Sequence, residues 1–580
     1  MQKGERRMEQ KALNTDRLHQ RLYEIYGPLA EAWLPRFASL AASAARERTA
    51  SEPPWDERDA VLIAYGDHVR APGEHPLHTF QEFLARHRLD DLFDVVHLLP
   101  FFPHSSDDGF SVIDYTMVDP ALGDWDDIRD LGRSFDLMFD LVLNHVSQHS
   151  RWFQDYLQGR EPYVRYFHEV DPAADLSAVA RPRSLPLLTE FATSRGPRRL
   201  WTTFSADQVD LNFAEPQVLL EMAEVLLQYV RHGARIIRLD AIAYLWKQLG
   251  TSCIHLPQTH AVVKFFRELL ALAAPRTLLL TETNVPHAEN ISYFGGGDEA
   301  HMVYQFSLPP LVLDAWLNED ARPLVRWLAD LAPAPPGTTF FNFTASHDGI
   351  GVRPLEGLVS AERFLRLADA IRARGGLIST RHGPDGRDLP YELNITYFDA
   401  VTDPGCQDTD LQVRRFLATQ ALMLALRGIP GVYFSSLVGA DNDLAGVEQS
   451  GQARRINRRK FPRDELNEAL ARPASREARV LAGYRRLLAT RRRQPAFHPD
   501  AEQQVLRDVP PWLIAVLRVS RDQRQRILAL VNVSGRRHSW EIPAGAAFLP
   551  GRELITDRAW PPATRVELDP YQTLWLESAS

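Results

Sequence analysis

Eight short apolar runs, most followed by a polar loop and an amphipathic helix, constrain the fold of this 580-residue chain more than any other feature. They are Val61–Tyr65, Val95–Leu99, Leu137–Leu143, Ile236–Leu239, Leu278–Leu280, Val303–Phe306, Phe340–Phe343 and Gly431–Phe434. A strand covered on both faces reads as a continuous apolar run, because helices shield the side that the core does not. The clearest crossover helix opens at Pro216, whose fixed φ suits a first turn, and carries Val218, Leu219, Met222, Val225, Leu226, Tyr229 and Val230 on one face before Gly233. Eight such units predict an α/β fold, a (β/α)8 TIM barrel, spanning 58–144, 213–348 and 405–500. A doubly wound open sheet is the competing architecture. Two gaps are too long for single loops and predict inserted loop subdomains, 145–212 after the third strand and 349–404 after the seventh. From 501 to 580 short alternating runs such as Trp512-Leu-Ile-Ala-Val-Leu, with no helical period, predict a C-terminal antiparallel β-domain. Residues 1–57 place Leu22, Ile25, Tyr26 and Leu29 at helical spacing and predict a helical lead-in, closed by a linker at Ser51-Glu-Pro-Pro.

Composition removes several functional classes. With 66 Lys and Arg against 75 Asp and Glu, a formal charge of −9, the chain lacks the basic footprint that nucleic-acid binding requires. Its two cysteines, Cys253 and Cys406, form no CxxC pair, so both are expected as buried free thiols. The charged amino terminus has no apolar signal region, and the longest apolar run, Phe416 to Leu426, is too short to cross a bilayer. A cytoplasmic protein without a membrane partner is expected, as a monomer or homodimer. No phosphate-binding loop, dinucleotide fingerprint or metal-ligand spacing occurs, so neither a cofactor nor a metal is expected.

The chemistry-bearing residues sit where apolar runs end, which on a barrel is a single mouth. Asp67, Asn144-His145, Arg238-Leu-Asp240, Glu282 and His347-Asp348 all do so. Taken singly, each has a structural explanation as a cap or an ion-pair member. Together, carboxylates, an Arg and histidines crowded into one mouth repel one another or compete unless a reaction needs them there. Arg238 and Asp240 lie two apart on a strand and so face the same way, and the guanidinium is expected to keep Asp240 ionised. Glu282 ends the next strand, about 4.8 Å away, a spacing compatible with the roughly 5 to 5.5 Å carboxyl separation of a retaining glycosidase-type mechanism.

Asp140-Leu-Val-Leu-Asn-His145, Arg238-Leu-Asp240, Thr281-Glu282 and Ser346-His347-Asp348 resemble the four signature regions of the α-amylase superfamily, in order and in strand position. Leu99-Pro-Phe-Phe-Pro-His-Ser-Ser-Asp-Asp-Gly-Phe110, Gly250-Thr-Ser-Cys253 and His347-Asp-Gly-Ile-Gly351 resemble the sucrose phosphorylase subfamily, over about residues 58 to 580. Within it, Trp201-Thr-Thr-Phe-Ser205, Thr281-Glu-Thr-Asn-Val-Pro-His287 with Tyr293-Phe-Gly295, and Tyr391-Glu-Leu-Asn394 are more similar to the glucosylglycerate and sucrose 6′-phosphate phosphorylases than to sucrose phosphorylase proper. Glu392 stands where the last has Gln, a departure from its pattern.

The resemblance implies Asp240 as nucleophile, Glu282 as general acid/base and Asp348 as transition-state stabiliser. It implies Asp107, His145, Arg238, His347 and Arg454 around the glucosyl unit, and Phe204 and Gln208 beside the cleavage point. Arg183, Tyr391 and Glu392 fall at acceptor and phosphate positions; an Arg there also has independent sense, since its planar fork binds phosphate oxygens in pairs. The implied activity is a retaining phosphorylase that takes a small-molecule α-1,2-glucoside, first of all 2-O-α-glucosylglycerate, and inorganic phosphate to α-glucose 1-phosphate and the free acceptor. Sucrose 6′-phosphate or sucrose is the alternative donor, and transglucosylation or plain hydrolysis the more distant ones.

Overall fold

The computed structural model describes residues 15–44, 54–183, 185–382 and 388–579. The charged amino terminus and the first three residues of the expected linker at Ser51 lie outside the described residues. All eight apolar runs form strands: β1 Val61–Ala64, β2 Val95–Leu98, β3 Asp136–Val142, β4 Ala234–Asp240, β5 Leu278–Thr281, β6 Met302–Tyr304, β7 Thr339–Phe343 and β8 Ile429–Tyr433. They pair in parallel in chain order, and β8 returns to β1, so the sheet closes into a barrel and the open-sheet alternative falls. Register sets Arg238 of β4 between Asp140 of β3 and Leu280 of β5, which brings an Arg and a carboxylate to one level inside the barrel.

The helix read from Pro216 runs Pro216–Arg231, with Glu215 accepting the Gln217 N–H at its start. It buries Val218, Leu219, Met222, Leu226 and Tyr229 against the barrel, the first four contributing about 1.5 to 3 kcal/mol of transfer free energy apiece. His232 ends it and Gly233, at φ +97°, turns the chain into β4. A side chain at that φ would be strained. Two helices of the lead-in, Asp16–Tyr26 and Ala30–Ala44, lie on the barrel's outer helices: Phe37 meets Phe265 edge to face at 4.9 Å, and the Tyr26 hydroxyl donates to the Phe213 carbonyl at 2.9 Å. Leu29, expected on their apolar face, is exposed, because the turn Gly27–Leu29 interrupts the helical phase. Cys253 is buried, but Cys406 is only half-buried in the loop before helix Thr409–Ala425, so the expectation of two buried thiols holds for one.

After β3 the chain adds a hairpin, Leu188–Thr193 with Gly196–Trp201, and a short antiparallel pair, His145–Ser147 with Gln208–Asp210. After β7 it adds a three-stranded antiparallel sheet of Ile350–Gly351, Leu377–His382 and Asp388–Asn394, with helix Ala361–Ala373. A six-stranded antiparallel sheet, centred on Leu513–Val519, Arg526–Asn532 and Thr573–Ser578, closes the chain. Arg518 of that sheet donates to the carbonyls of Ala425 at 2.7 Å and His498 at 2.8 Å, fastening it to the end of helix Thr409–Ala425. Among the described residues no helix is long and apolar enough to cross a membrane.

Candidate active site

The C-terminal end of β4 presents Arg238 and Asp240 on the same face, as the two-residue period requires. Arg238 Nη1 donates to Asp240 Oδ1 at 2.8 Å and, more closely still, to Asp140 Oδ1. Asp140 in turn holds His97 of β2, Nε2 to Oδ2 at 2.7 Å. Ala241 follows at φ +52°, a left-handed conformation uncommon for alanine, and aims its N–H at Glu282 Oε2, 3.2 Å away. Glu282 is fixed by its own N–H on the Leu239 carbonyl. Burial pushes the carboxyls of both Asp240 and Glu282 up, and Arg238 pulls both down. The expectation that the guanidinium keeps Asp240 ionised is thus opposed by desolvation, which outweighs Arg238 and raises the carboxyl well above its ordinary value. Of the two, Asp240 is the one in contact with the guanidinium, a contact that favours its ionised form.

After β7, Ser346 Oγ accepts the Asp348 N–H at 3.2 Å. Arg454 Nη1 lies 2.6 Å from Asp348 Oδ1, with Arg458 at 3.6 Å. Burial by itself would raise the Asp348 carboxyl, but Arg454 foremost, then His347 and Arg458, holds it well below the usual range. His347 stacks on Phe110 at 4.6 Å, and burial takes its imidazole down to about 3. Asp107 and Asp108 both adopt positive φ, which places Asp107 between Arg458 at 3.4 Å, Arg183 at 3.7 Å and Arg454 at 3.9 Å. Despite the opposing effect of burial, these arginines keep its carboxyl below its ordinary value.

The two insertions supply the remaining walls. From the first, Gln208 Nε2 lies 3.1 Å from both the Phe110 carbonyl and His145 Nε2, while Ser205 donates to Gln208 Oε1 at 2.9 Å. Phe204 stands edge-on to Tyr244 at 5.4 Å and carries Arg183 over its ring at 5.6 Å. Behind this wall the Lys247 ammonium joins Asp210 Oδ2 at 2.7 Å, Asn144 Oδ1 at 2.7 Å and the Tyr244 carbonyl. From the second insertion come Tyr391 and Glu392. Neighbouring strand residues ordinarily face opposite ways, but the register slips at Tyr391, between the pairs Ser379–Glu392 and Thr380–Pro390. The bulge lets both residues line the pocket. Glu392 clamps Arg454 through two bonds of 2.8 and 3.1 Å. Gly349 allows the approach, since a Cβ there would sit 2.5 Å from Glu392 Cγ and 2.8 Å from the Leu393 carbonyl.

One pocket is therefore lined by Asp240, Glu282 and Asp348, by Asp107, His145, His347 and Arg454, by Phe204 and Gln208, and by Arg183, Tyr391 and Glu392. Arg238, expected beside them, lies behind the pocket wall and reaches the site through Asp240. Asp67 does not take part: it pairs with Lys460 at 2.5 Å and with Arg70, outside the lining. Asn144 likewise serves the Lys247 junction. Sequence reasoning missed Phe110, Tyr244, Asn457 and Asn284, which also line the pocket, and the supporting His97, Asp140 and Arg458. Asp140 opens one quoted signature and could have been found there; His97 is masked by the apolar run around it. Among the described residues no group of three or more His, Cys, Asp or Glu is arranged to hold a metal ion.

Residues 89–324 match the α-amylase catalytic-domain family. A glucosylglycerate phosphorylase of Allomeiothermus silvanus is 49% identical over 95% of this chain and 96% of its own length. One of Escherichia coli strain K12 is 44% identical over 90% and 92%. Among solved structures, sucrose 6F-phosphate phosphorylase from Thermoanaerobacter thermosaccharolyticum superposes with a TM-score of 0.71 at 27% identity, covering 82% of this chain and 94% of that one. Full-length similarity at these levels, on a barrel with the carboxylates at its strand ends, makes the chain a member of the α-amylase superfamily, within its sucrose phosphorylase subfamily of glycoside phosphorylases.

Proposed function

We propose that the protein is a retaining phosphorylase of 2-O-α-glucosylglycerate, releasing α-D-glucose 1-phosphate and D-glycerate by double displacement. The observation that carries the chemistry is the convergence of Asp240, Glu282 and Asp348 on one pocket flanked by Arg183 and Arg454. Full-length similarity to glucosylglycerate phosphorylases supports the choice of donor.

In the first half-reaction Asp240 attacks the anomeric carbon while Glu282 gives its proton to the departing glycosidic oxygen. A β-glucosyl-enzyme and free glycerate result. Burial keeps that proton on Glu282, and the Ala241 N–H supports its carboxylate once the proton has left. Asp348, held ionised chiefly by Arg454, receives the hydroxyls of the glucosyl ring and faces the charge that develops on it. His145, His347, Asp107 and Arg454 surround the same ring, and Arg238 steadies Asp240. In the second half-reaction phosphate enters the vacated space, loses a proton to Glu282 and attacks the anomeric carbon, which separates from Asp240 with net retention. Arg183 is the cation for that phosphate: among the described residues its carboxylate contact is Asp107 at 3.7 Å, too long for a tight pair. Phe204 shields the glucosyl-enzyme, with Gln208 beside it, and Tyr391 and Glu392 border the acceptor. The reading includes a cytoplasmic location and small-molecule partners only, the glucoside and phosphate.

The test is incubation of the purified protein with 2-O-α-glucosylglycerate, sucrose and sucrose 6′-phosphate in turn, with and without phosphate. Glucose 1-phosphate from glucosylglycerate alone, dependent on phosphate, is expected. Preference for either sucrose compound would overturn the donor, and free glucose independent of phosphate would overturn the reaction class.

A further inference from the structure

Four buried groups from three consecutive strands form one chain of contacts: His97 on β2, Asp140 on β3, then Arg238 and Asp240 on β4. His97 is 0% and Asp140 1% exposed, so neither meets substrate. A single nitrogen, Arg238 Nη1, serves both Asp140 Oδ1 and Asp240 Oδ1. The rings of Phe110 and Tyr304 flank its guanidinium, each centre 5.7 Å from the central carbon. Among the described residues the buried His97 Nδ1 has no hydrogen-bond partner, and the ring's polar contact is the one from Nε2 to Asp140. Ionised Asp140 requires the hydrogen on that nitrogen.

We propose that Asp140, seated by His97, is a positioning residue that divides the charge of Arg238 with the nucleophile and thereby balances the two half-reactions. The inference rests on the double-displacement reading. A carboxylate that receives the whole charge of a guanidinium is less basic: it attacks carbon more slowly and departs from carbon more readily. Asp140 draws part of that charge away through the same nitrogen, leaving Asp240 basic enough to form the glucosyl ester and still able to leave it. Burial of the group sharpens the effect, because the low dielectric of the barrel interior screens little. Arg238, foremost, and His97 hold the Asp140 carboxyl down to about 2 against its burial, so it is ionised wherever the enzyme works.

The two half-reactions are separable in a ping-pong mechanism: kcat/KM for the donor reports glucosyl transfer to Asp240, and kcat/KM for phosphate reports transfer away from it. In D140N the amide keeps an oxygen for Arg238 but gives up the charge. The expected result is a donor kcat/KM lowered about 10-fold or more, as for a change of one unit in the basicity of a buried carboxylate, with the phosphate kcat/KM unchanged or raised. H97Q, which removes only the ring that seats Asp140, should shift the ratio of the two in the same direction by a smaller factor. It keeps the test decisive if D140N does not fold. A merely structural defect leaves fewer active molecules and lowers both terms by one factor, so equal loss in the folded variants overturns the inference. So does a loss confined to the phosphate term. If the wild-type protein itself shows no ping-pong, phosphate-dependent turnover, it is the double-displacement reading that fails, and the inference with it.

Discussion

Arg183 offers the sharpest separation of binding from folding. Its nearest carboxylate oxygen, on Asp107, is 3.7 Å away and its side chain is 29% exposed, so the pair contributes less than about 1 kcal/mol to stability. Asp107 also keeps Arg458 at 3.4 Å and Arg454 at 3.9 Å, so R183A leaves no carboxylate stranded. In the second half-reaction, by contrast, the guanidinium would donate to phosphate through charge-assisted bonds. Hydrogen bonds to charged groups are worth about 1.5 to 3 kcal/mol, which converts to a loss of roughly 10- to 150-fold. R183A is therefore expected to unfold within a degree or two of the wild type while its kcat/KM for phosphate falls by that factor. The loss in kcat/KM for glucosylglycerate should be smaller, because the glucosyl ring is held by other residues. Initial rates over a grid of donor and phosphate concentrations, followed by release of glucose 1-phosphate, give both terms. Equal losses in the two, or an intact phosphate term, would refute the assignment; a large drop in unfolding temperature would refute the reasoning about Asp107.

D240N should lower turnover by more than about 1,000-fold, as loss of a covalent nucleophile does, with an unchanged circular dichroism spectrum. Wild-type rates would sink the nucleophile assignment. E282Q is expected to stabilise the protein at pH 8 and to leave it unchanged near pH 4, measured as the shift in urea midpoint. Burial raises the Glu282 carboxyl above its unfolded value, so the wild type loses stability as pH rises through and beyond the unfolded value, a loss the amide does not suffer. K247M should cost about 3 to 5 kcal/mol in urea unfolding, because Asp210, fully buried, loses the ammonium that pairs with it and is left as a buried charge without its counter-ion.

The barrel was legible because each of its strands is covered on both sides: the runs at Val61, Val95, Leu278 and Phe340 each mark a strand to within a residue or so. The carboxylates were legible for the same reason, since a polar residue closing an apolar strand has one mouth to face. Asp67 shows the limit of that argument. It sits at such an end, yet Lys460, nearly 400 positions away, neutralises it, and no local pattern announces so distant a pair. Arg454 and Arg458 likewise reach Asp348 and Asp107 from more than 100 positions away; Arg454 was placed by resemblance, not spacing, and Arg458 was missed. Tyr391 and Glu392 were placed at the site together by resemblance; strand alternation alone would have set them on opposite faces, and the bulge is what brings both to the pocket. His97 and Lys247 act from behind the pocket, where a polar side chain reads like any core or surface residue until its partners are seen.

The central claim is that glucose passes through a covalent ester on Asp240. It is tested most directly by treating E282Q with α-glucosyl fluoride, whose leaving group needs no proton, in the absence of phosphate. The account predicts that the intact protein gains the mass of one glucosyl unit, that peptide mapping places it on Asp240, and that the loss of the Glu282 base lets it persist. A label on another residue, or turnover of the fluoride with inversion and no label, would contradict it.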